Sequence, residues 1–374
     1  MATPRKTSTR VRYAVVGLGH IAQAAVLPAF AHARRNSELA ALVSDDARKM
    51  RELARRYRVP ATYTYEQFAE AAEEKAFDAV YICLPNHLHR DWVLAAARAG
   101  IHVLCEKPLA VTARDAERMV EATEKAGVLL MTAYRLHFER ANLSAIELVR
   151  SRKLGEPRFY VSGFSMDVRA GNVRLEAEEN GGGPLYDIGV YCLNAVRHLF
   201  RAEPEEVFAA RASRKEARFQ KSPEMVAATL RFPGDRLASF TCSFGAADTG
   251  WYHVVGTKGD VRVDPAFEYA EGLGWRAKIG DRTMTRRYGK RDQFGPEILH
   301  FSDRVRSRKT PGPSGREGLA DVRVVEALRE SADSGRAVKL PPFEVSKRPT
   351  LAQENRQPPV PKPELVGDAA SASR

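Results

Sequence analysis

The chain has 374 residues, 44% hydrophobic and 28% charged, with 59 Lys and Arg against 47 Asp and Glu for a net charge of +12. That length exceeds what one core usually fills, so two domains are expected. Apolar residues come in short runs, none approaching the roughly 20 that a membrane-crossing helix needs, and no membrane partner is expected.

The basic balance suits a phosphate-bearing ligand or nucleic acid, but no helix-turn-helix, zinc knuckle or aromatic RNA-binding signature accompanies it. A solvated, arginine-rich surface is the simpler account, with no nucleic-acid partner. Residues 1–10 are basic and polar and enter a strand at Val11 without an apolar segment and cleavage site, which predicts a disordered N-terminus on a cytoplasmic protein. Cys83, Cys105, Cys192 and Cys242 lie far apart in apolar surroundings. Buried thiols and no metal centre are expected.

From Val11 to Tyr134 short apolar runs alternate with helical stretches, the order of a doubly wound parallel sheet, and residues 11–134 are read as a dinucleotide-binding Rossmann domain. "YAVVG", "LAALV", "AVYICL", "IHVLC" and "VLLMTAY" read as buried strands. "DWVLAAARAG" and "RDAERMVEATEKAG" read as helices closed by Gly100 and Gly127. After the first strand come Gly17, Leu18, Gly19, His20, Ile21 and Ala22. Such a turn needs a glycine for its tightness, a second where backbone meets pyrophosphate, and a small third residue for packing. Gly17, Gly19 and Ala22 meet those needs, and the following helix aims unpaired N–H groups at the phosphates.

The second strand ends at Ser44-Asp45-Asp46, where the adenosine ribose is usually read. Ser44 with Arg48 and Lys49 favours NADP, whereas Asp45 and Asp46 favour NAD; a helix cap at Ala47 is a further use for one of them. Later strand ends carry Leu84, Pro85 and Asn86, which can shape a loop along the cofactor. His87 and His89 there suit binding, capping or packing. Glu106, Lys107 and Pro108 follow the strand "IHVLC", placing a cation toward the ligand crevice, with a cis bond plausible at Pro108.

Residues 135–340 form a second unit for substrate binding and oligomerisation. A helix-like "ANLSAIELVRSRKLG" leads into strand-like "PRFYVSGFSM", a polar loop, and "GGGPLYDIGVYCLNAVRHLF". Strand-like pieces then recur to Thr285, predicting a large, open, mostly antiparallel sheet. Two last helices, near 295–306 and 316–334, are expected to pack back onto the body. Residues 341–374 are rich in Pro and charge, which predicts an extended or disordered tail.

With these pieces in order the chain resembles the Gfo/Idh/MocA oxidoreductases, and among them the glucose-fructose oxidoreductases. The likeness runs from about Val11 to about Leu340 and is carried by "YAVVGLGHIA", "ALVSDDARK", "DAVYICLPNHLH", "HVLCEKPLA" and above all "GGGPLYDIGVYCLNAVRHLF". It implies a Rossmann domain with a C-terminal α/β domain, and a dimer or tetramer formed through the open sheet. By the same resemblance Lys107, Asp187 and Tyr191 are the catalytic lysine, acid and proton-transferring positions. Ser44 and Lys49 match an NADP-phosphate pair, and Arg174 matches an arginine beside the cofactor. Asp45 and Val173 depart from the relatives' glycine and tryptophan, and the short N-terminus lacks their secretion signal and arm, which implies an exchangeable cofactor.

The chemistry needed is loss of a hydride from carbon and a proton from oxygen. A free tyrosine titrates near 10, and an adjacent ammonium at Lys107 would favour the phenolate of Tyr191 as proton acceptor. Asp187 lies one helical turn before Tyr191 and would orient the sugar or the lysine. Gly181, Gly182 and Gly183 permit close backbone approach at the helix entry. Arg135 is a candidate beside the cofactor or the sugar, with His137 and Trp251 as further contributors to sugar selection. The expected function is oxidation of an aldose at its anomeric carbon with NADP. An NAD-dependent inositol or trans-dihydrodiol dehydrogenase, or a non-catalytic nucleotide-sensing regulator, is the alternative.

Overall fold

In the computed structural model, which describes residues 10–345 and 347–367, the apolar runs of the N-terminal third become six strands of one sheet. These are β1 (Val11–Val16), β2 (Ser37–Val43), β3 (Ala61–Tyr63), β4 (Ala79–Ile82), β5 (His102–Glu106) and β6 (Leu130–Ala133). Every pairing in it is parallel, and the order is β3-β2-β1-β4-β5-β6. That order reverses between β1 and β4 and opens a crevice at their carboxyl ends.

The helices of this half are α1 (Leu27–Ala29), α2 (Ala47–Tyr57), α3 (Phe68–Glu73), α4 (His89–Arg98) and α5 (Ala113–Lys125). Because helices cover both faces, successive strand residues enter opposite cores and no polar face is needed. Tyr13 and Val15 of β1 enter one apolar cluster, Ala14 and Val16 the other. Gly100 and Gly127, with φ of 65° and 66°, end α4 and α5 in the left-handed conformation expected of them.

The second half contains α6 (Arg140–Arg150), β7 (Pro157–Ser165), α7 (Val190–Phe200), β8 (Glu206–Ala212), β9 (Met225–Phe232), β10 (Arg236–Ser243) and β11 (Thr249–Gly256). It continues through β12 (Gly259–Val263), β13 (Gly274–Ile279), β14 (Arg282–Arg287), α8 (Phe294–Ser307), α9 (Gly315–Ser334) and β15 (Val338–Lys339). The strands make a nine-stranded sheet ordered β14-β13-β12-β11-β7-β10-β9-β8-β15. It is antiparallel except for β7 with β10, a parallel pair that local patterning does not reveal. One face is covered by α6, α7 and α9. The other leaves Phe159, Phe208 and Leu237 between 44% and 49% exposed.

The last two helices tie the halves together. Phe294, Ile298 and Phe301 of α8 join the Tyr13 cluster, while α9 sends Leu319 and Val322 into the second Rossmann cluster and Val325 and Leu328 into the C-terminal one. A fully buried Arg197 links α7 to α9, at 3.0 Å from Glu317 and 2.5 Å from Asp321, and also bonds Glu203 at 2.5 Å. Such a charge is tolerated only because each of its donors meets a carboxylate. Among the described residues past Lys339 the chain has no regular structure apart from a short turn at Leu351–Gln353, and side chains pin it to the body. The N-terminus expected to be disordered lies, apart from Arg10, outside the described residues, as do residues 368–374 of the tail.

Candidate active site

β1 delivers the chain into the glycine turn at the point where the strand order reverses. Gly17 has φ of +86°, and a Cβ there would come within 2.8 Å of the Cys83 carbonyl oxygen, so only glycine fits. At Gly19 a Cβ would meet nothing within 4 Å. That side of the turn is open for a ligand to reach the backbone. The helical run that follows is π-helical over Ala22–Val26 before it becomes α1. His20 presents a buried Nδ1 without a protein partner. Burial, with Arg174 and Lys362 nearby, pushes its pKa down, so the ring is neutral. An open backbone turn and a buried ring nitrogen awaiting a partner fit a bound dinucleotide.

At the end of β2, Ser44, Asp45 and Asp46 each take a role within the chain. Asp46 caps α2, accepting from the Lys49 backbone N at 2.9 Å, and its other oxygen pairs with Lys49 Nζ at 3.1 Å. Asp45 accepts from the Tyr65 N–H at 2.8 Å, and Ser44 Oγ accepts from the Asp46 N–H at 3.2 Å. Both carboxylates therefore already serve the protein.

The cleft between the halves encloses about 1500 Å³, part of it open to solvent. Of the expected residues, Gly19, His20, Ile21, Leu84, Pro85, Asn86, Glu106, Lys107, Arg135, Arg174, Asp187 and Tyr191 line it. Gly17 and Leu18 lie in the turn behind it, and Ser44 and Lys49 stand apart at the end of β2. His89, a candidate cofactor ligand, turns away and must be corrected. It is fully buried, its ring nitrogens 2.9 Å from the Leu84 carbonyl and 3.0 Å from that of Pro108, so it stitches together two loops that border the cleft. His137 is buried behind Tyr134 and bonds Asn194 at 2.9 Å, and Trp251 stacks under Arg262; neither lines the cleft.

Lys107 leaves the end of β5, just before a cis peptide bond to Pro108. Its Nζ donates to both the Asp187 side chain and the Asp187 carbonyl, each at 2.7 Å. Asp187 sits in a π-helical turn, Leu185–Gly189, that feeds α7, and Tyr191 follows one turn later. Arg174, from the short turn Val173–Leu175, donates through Nε to the other Asp187 oxygen at 2.6 Å. Lys107 Nζ lies 4.9 Å and the Arg135 guanidinium 5.0 Å from the centre of the Tyr191 ring. Two cations thus lie close to the phenol ring. Arg135 is fixed by the Phe267 carbonyl at 2.5 Å and by the Gln293 side chain.

These charges settle one another's protonation. Burial would push Asp187 up, but Lys107 and Arg174 outweigh it and hold the carboxyl well below its usual range. Burial works against the Lys107 ammonium, yet the Asp187 carboxylate keeps its pKa above the ordinary value. Lys107 is therefore a standing cation and Asp187 a standing anion. Beneath them lies a second pair that the sequence did not disclose. Tyr81 OH is 3.0 Å from Glu106 and 3.3 Å from Glu297, a fully buried residue of α8 with one oxygen lacking any partner. Burial and the neighbouring Glu106 push Glu297 far up, so it keeps its proton.

The loop before α7 closes the rim. A Cβ on Gly182 would fall 1.9 Å from the Glu176 carbonyl oxygen, which forces glycine there, and Asn86 donates to the Gly181 carbonyl at 2.7 Å across the two halves. Glu268, Tyr269 and Phe294 also line the cleft. They reach it from loops and a helix far along the chain, and no local pattern marks them.

The fold and the cleft together define an oxidoreductase of two domains, a nucleotide-binding sheet facing an α/β substrate domain. Residues 11–134 match the model of an oxidoreductase family with an NAD-binding Rossmann fold, and residues 146–340 match that family's C-terminal α/β domain. The chain belongs to the Gfo/Idh/MocA family. It is 33% identical over 340 residues to the D-xylose 1-dehydrogenase [NADP(+)] of Haloarcula marismortui, covering 89% of this chain and 94% of that one. The crystal structure of aldose-aldose oxidoreductase from Caulobacter crescentus with glycerol is 37% identical, with a TM-score of 0.84, over 88% of this chain and all of that one. A 3-ketoreductase from Actinomadura kijaniata in complex with NADP and TDP-benzene is 27% identical, with a TM-score of 0.78, over 86% of this chain and 98% of that one.

Proposed function

We propose that the enzyme is an NADP-dependent sugar oxidoreductase acting on the anomeric hydroxyl of an aldose, with Tyr191 moving the proton. The observation that carries the reading is the convergence of Lys107, Asp187 and Tyr191 on the cleft bordered by Gly19 and His20. When bound, the nicotinamide supplies the hydride acceptor. The chain's own work is to hold the sugar hydroxyl and take its proton. Tyr191 is the acceptor, and Lys107 and Arg135 beside its ring supply the positive charge that a phenolic acceptor needs. Asp187 anchors Lys107 and Arg174 with both oxygens, so neither cation swings away from the cleft. Relatives named for D-xylose and aldoses support the sugar.

The turn from Gly17 through Ile21 and the loop Leu84–Asn86 would hold the dinucleotide, with Ser44 and Lys49 toward its 2′-phosphate. Asp46 is committed to capping α2 and pairing Lys49, whereas Asp45 is engaged through one oxygen, by the Tyr65 N–H. The exposed sheet face with Phe159, Phe208 and Leu237 suits self-association into a dimer or tetramer. The four free, buried cysteines suit a reducing, cytoplasmic setting.

The test is reduction of NADP across a panel of aldoses, comparing wild type with Tyr191→Phe. Loss of the phenolic oxygen should lower kcat by about 10²- to 10⁴-fold, the usual worth of general acid–base help. Equal rates would remove Tyr191 from its role, and turnover with no aldose would remove the sugar reading.

A further inference from the structure

The family match ends at residue 340, yet the chain returns to the glycine turn from beyond that point. Its path is set by side chains of the body. Arg348 bonds the Arg197 carbonyl at 3.0 Å and Glu203 at 2.6 Å, Glu354 takes Arg140 at 2.5 Å, and the Pro358 carbonyl accepts from the Asp292 N–H at 3.3 Å. From there Pro358, Pro359, Pro361 and Pro363 stiffen the segment. A proline-rich segment loses little entropy on docking and reaches about 3 Å per residue.

The far end is anchored on the nucleotide-binding turn itself. Gln23, buried in the helical run after that turn, clasps Val366 with both halves of its amide, accepting from the Val366 N–H at 2.7 Å and donating to its carbonyl at 3.1 Å. The same Gln23 Nε2 donates at 2.9 Å to the carbonyl of Leu18. Val366 is only 3% exposed and completes the Rossmann core cluster, and Arg56 holds the Glu364 carbonyl at 2.5 Å. Gly367 lies against Lys49, where an added Cβ would stand 3.0 Å from Cε. Between the anchors, Lys362 is exposed, has no ion pair among the described residues, and stands a few residues before the Val366 clasp on Gln23 beside the glycine turn.

We propose that residues 358–367 are a strap across the phosphate end of the dinucleotide site, that Lys362 on it binds the dinucleotide's phosphates, and that the chain thereby releases its nucleotide slowly. The proposal rests on the dinucleotide reading above. It adds a binding element contributed in cis, outside both family domains. A strap held by a few backbone bonds and one apolar side chain opens at small cost, so the nucleotide still enters. Retention then comes from the off-rate, where most differences between related complexes lie.

The test is the release rate of NADPH from the loaded protein, followed by its fluorescence after a chase with excess NADP. The full chain is compared with a chain ending at Gln357, with Val366→Asp, and with Lys362→Ala, each checked by circular dichroism. Truncation and Val366→Asp should each speed release about ten-fold or more. Lys362→Ala should speed it a few-fold, by an amount that shrinks as salt is added. Release at the wild-type rate from both strap variants overturns the strap. Faster release from those two with none from Lys362→Ala overturns the role of Lys362. A full chain that binds neither NADPH nor NADH overturns the proposal together with the dinucleotide reading beneath it.

Discussion

Asp187 neutralises two cations with two oxygens, and that arrangement sets its consequences. In Asp187→Asn, Lys107 and Arg174 would remain largely buried without their anion, a loss of about 3 kcal/mol by analogy with other broken buried pairs. Denaturant melts at neutral pH should show that loss beside a collapse of activity. The folded-state pKa of Asp187 lies below the unfolded value near 3.9. Its stabilisation is therefore complete above that value and lost as pH falls through the lower folded pKa. Glu297 behaves in the opposite sense. Its folded pKa is raised, so the folded state holds a proton that the unfolded state gives up above about 4.3, and stability falls as pH rises. Glu297→Gln, which mimics the neutral acid, should raise Tm more at pH 8 than at pH 5; an equal gain at both would place the proton elsewhere. Lys107, Asp187 and Tyr191 were marked only by the family resemblance, whose motifs are local; each alone reads as a surface charge, a helix cap or a core aromatic. Glu297 was not marked, because its partner Glu106 is distant in sequence and nothing near either residue signals the meeting.

Elements show the same division. The strands β1, β2, β4, β5 and β6 were readable as short runs of Val, Ile, Leu and aromatics, since burial on both faces leaves little room for polar residues. The edge strand β14, "RTMTRR", was not, because five of its six residues are exposed and it carries no apolar alternation. The parallel pairing of β7 with β10 was equally invisible, since pairing direction depends on a crossover and not on side-chain period. The glycine turn was readable, and its geometry makes a sharp prediction. Gly17→Ala would place a Cβ against the Cys83 carbonyl in a left-handed conformation that costs a non-glycine residue about 1–2 kcal/mol even without the clash. Gly19→Ala meets open space. The first should lower Tm in the absence of nucleotide; the second should leave Tm unchanged and weaken NADPH binding in a fluorescence titration.

In the whole molecule, α8 and α9 join the two halves by packing back on the Rossmann core, with Asn86–Gly181 and Lys107–Asp187 as further links across the cleft. The sequence predicted that the last helices would do this, but a cleft is a property of distant segments and its lining by Glu268, Tyr269 and Phe294 had no local mark. The tail's composition signals an extended segment without a core of its own; what composition does not signal is Gln23 bonding Val366. The open sheet face carries its own prediction: Phe208→Glu with Leu237→Glu should lower the sedimentation coefficient if that face joins subunits, with the fold intact by circular dichroism. If Lys107 and Tyr191 act as one proton-handling unit, a double-mutant cycle on kcat for aldose oxidation reveals it. Lys107→Met and Tyr191→Phe together should cost little more than the worse single change, as for other groups that work jointly. Losses that simply multiply would contradict it.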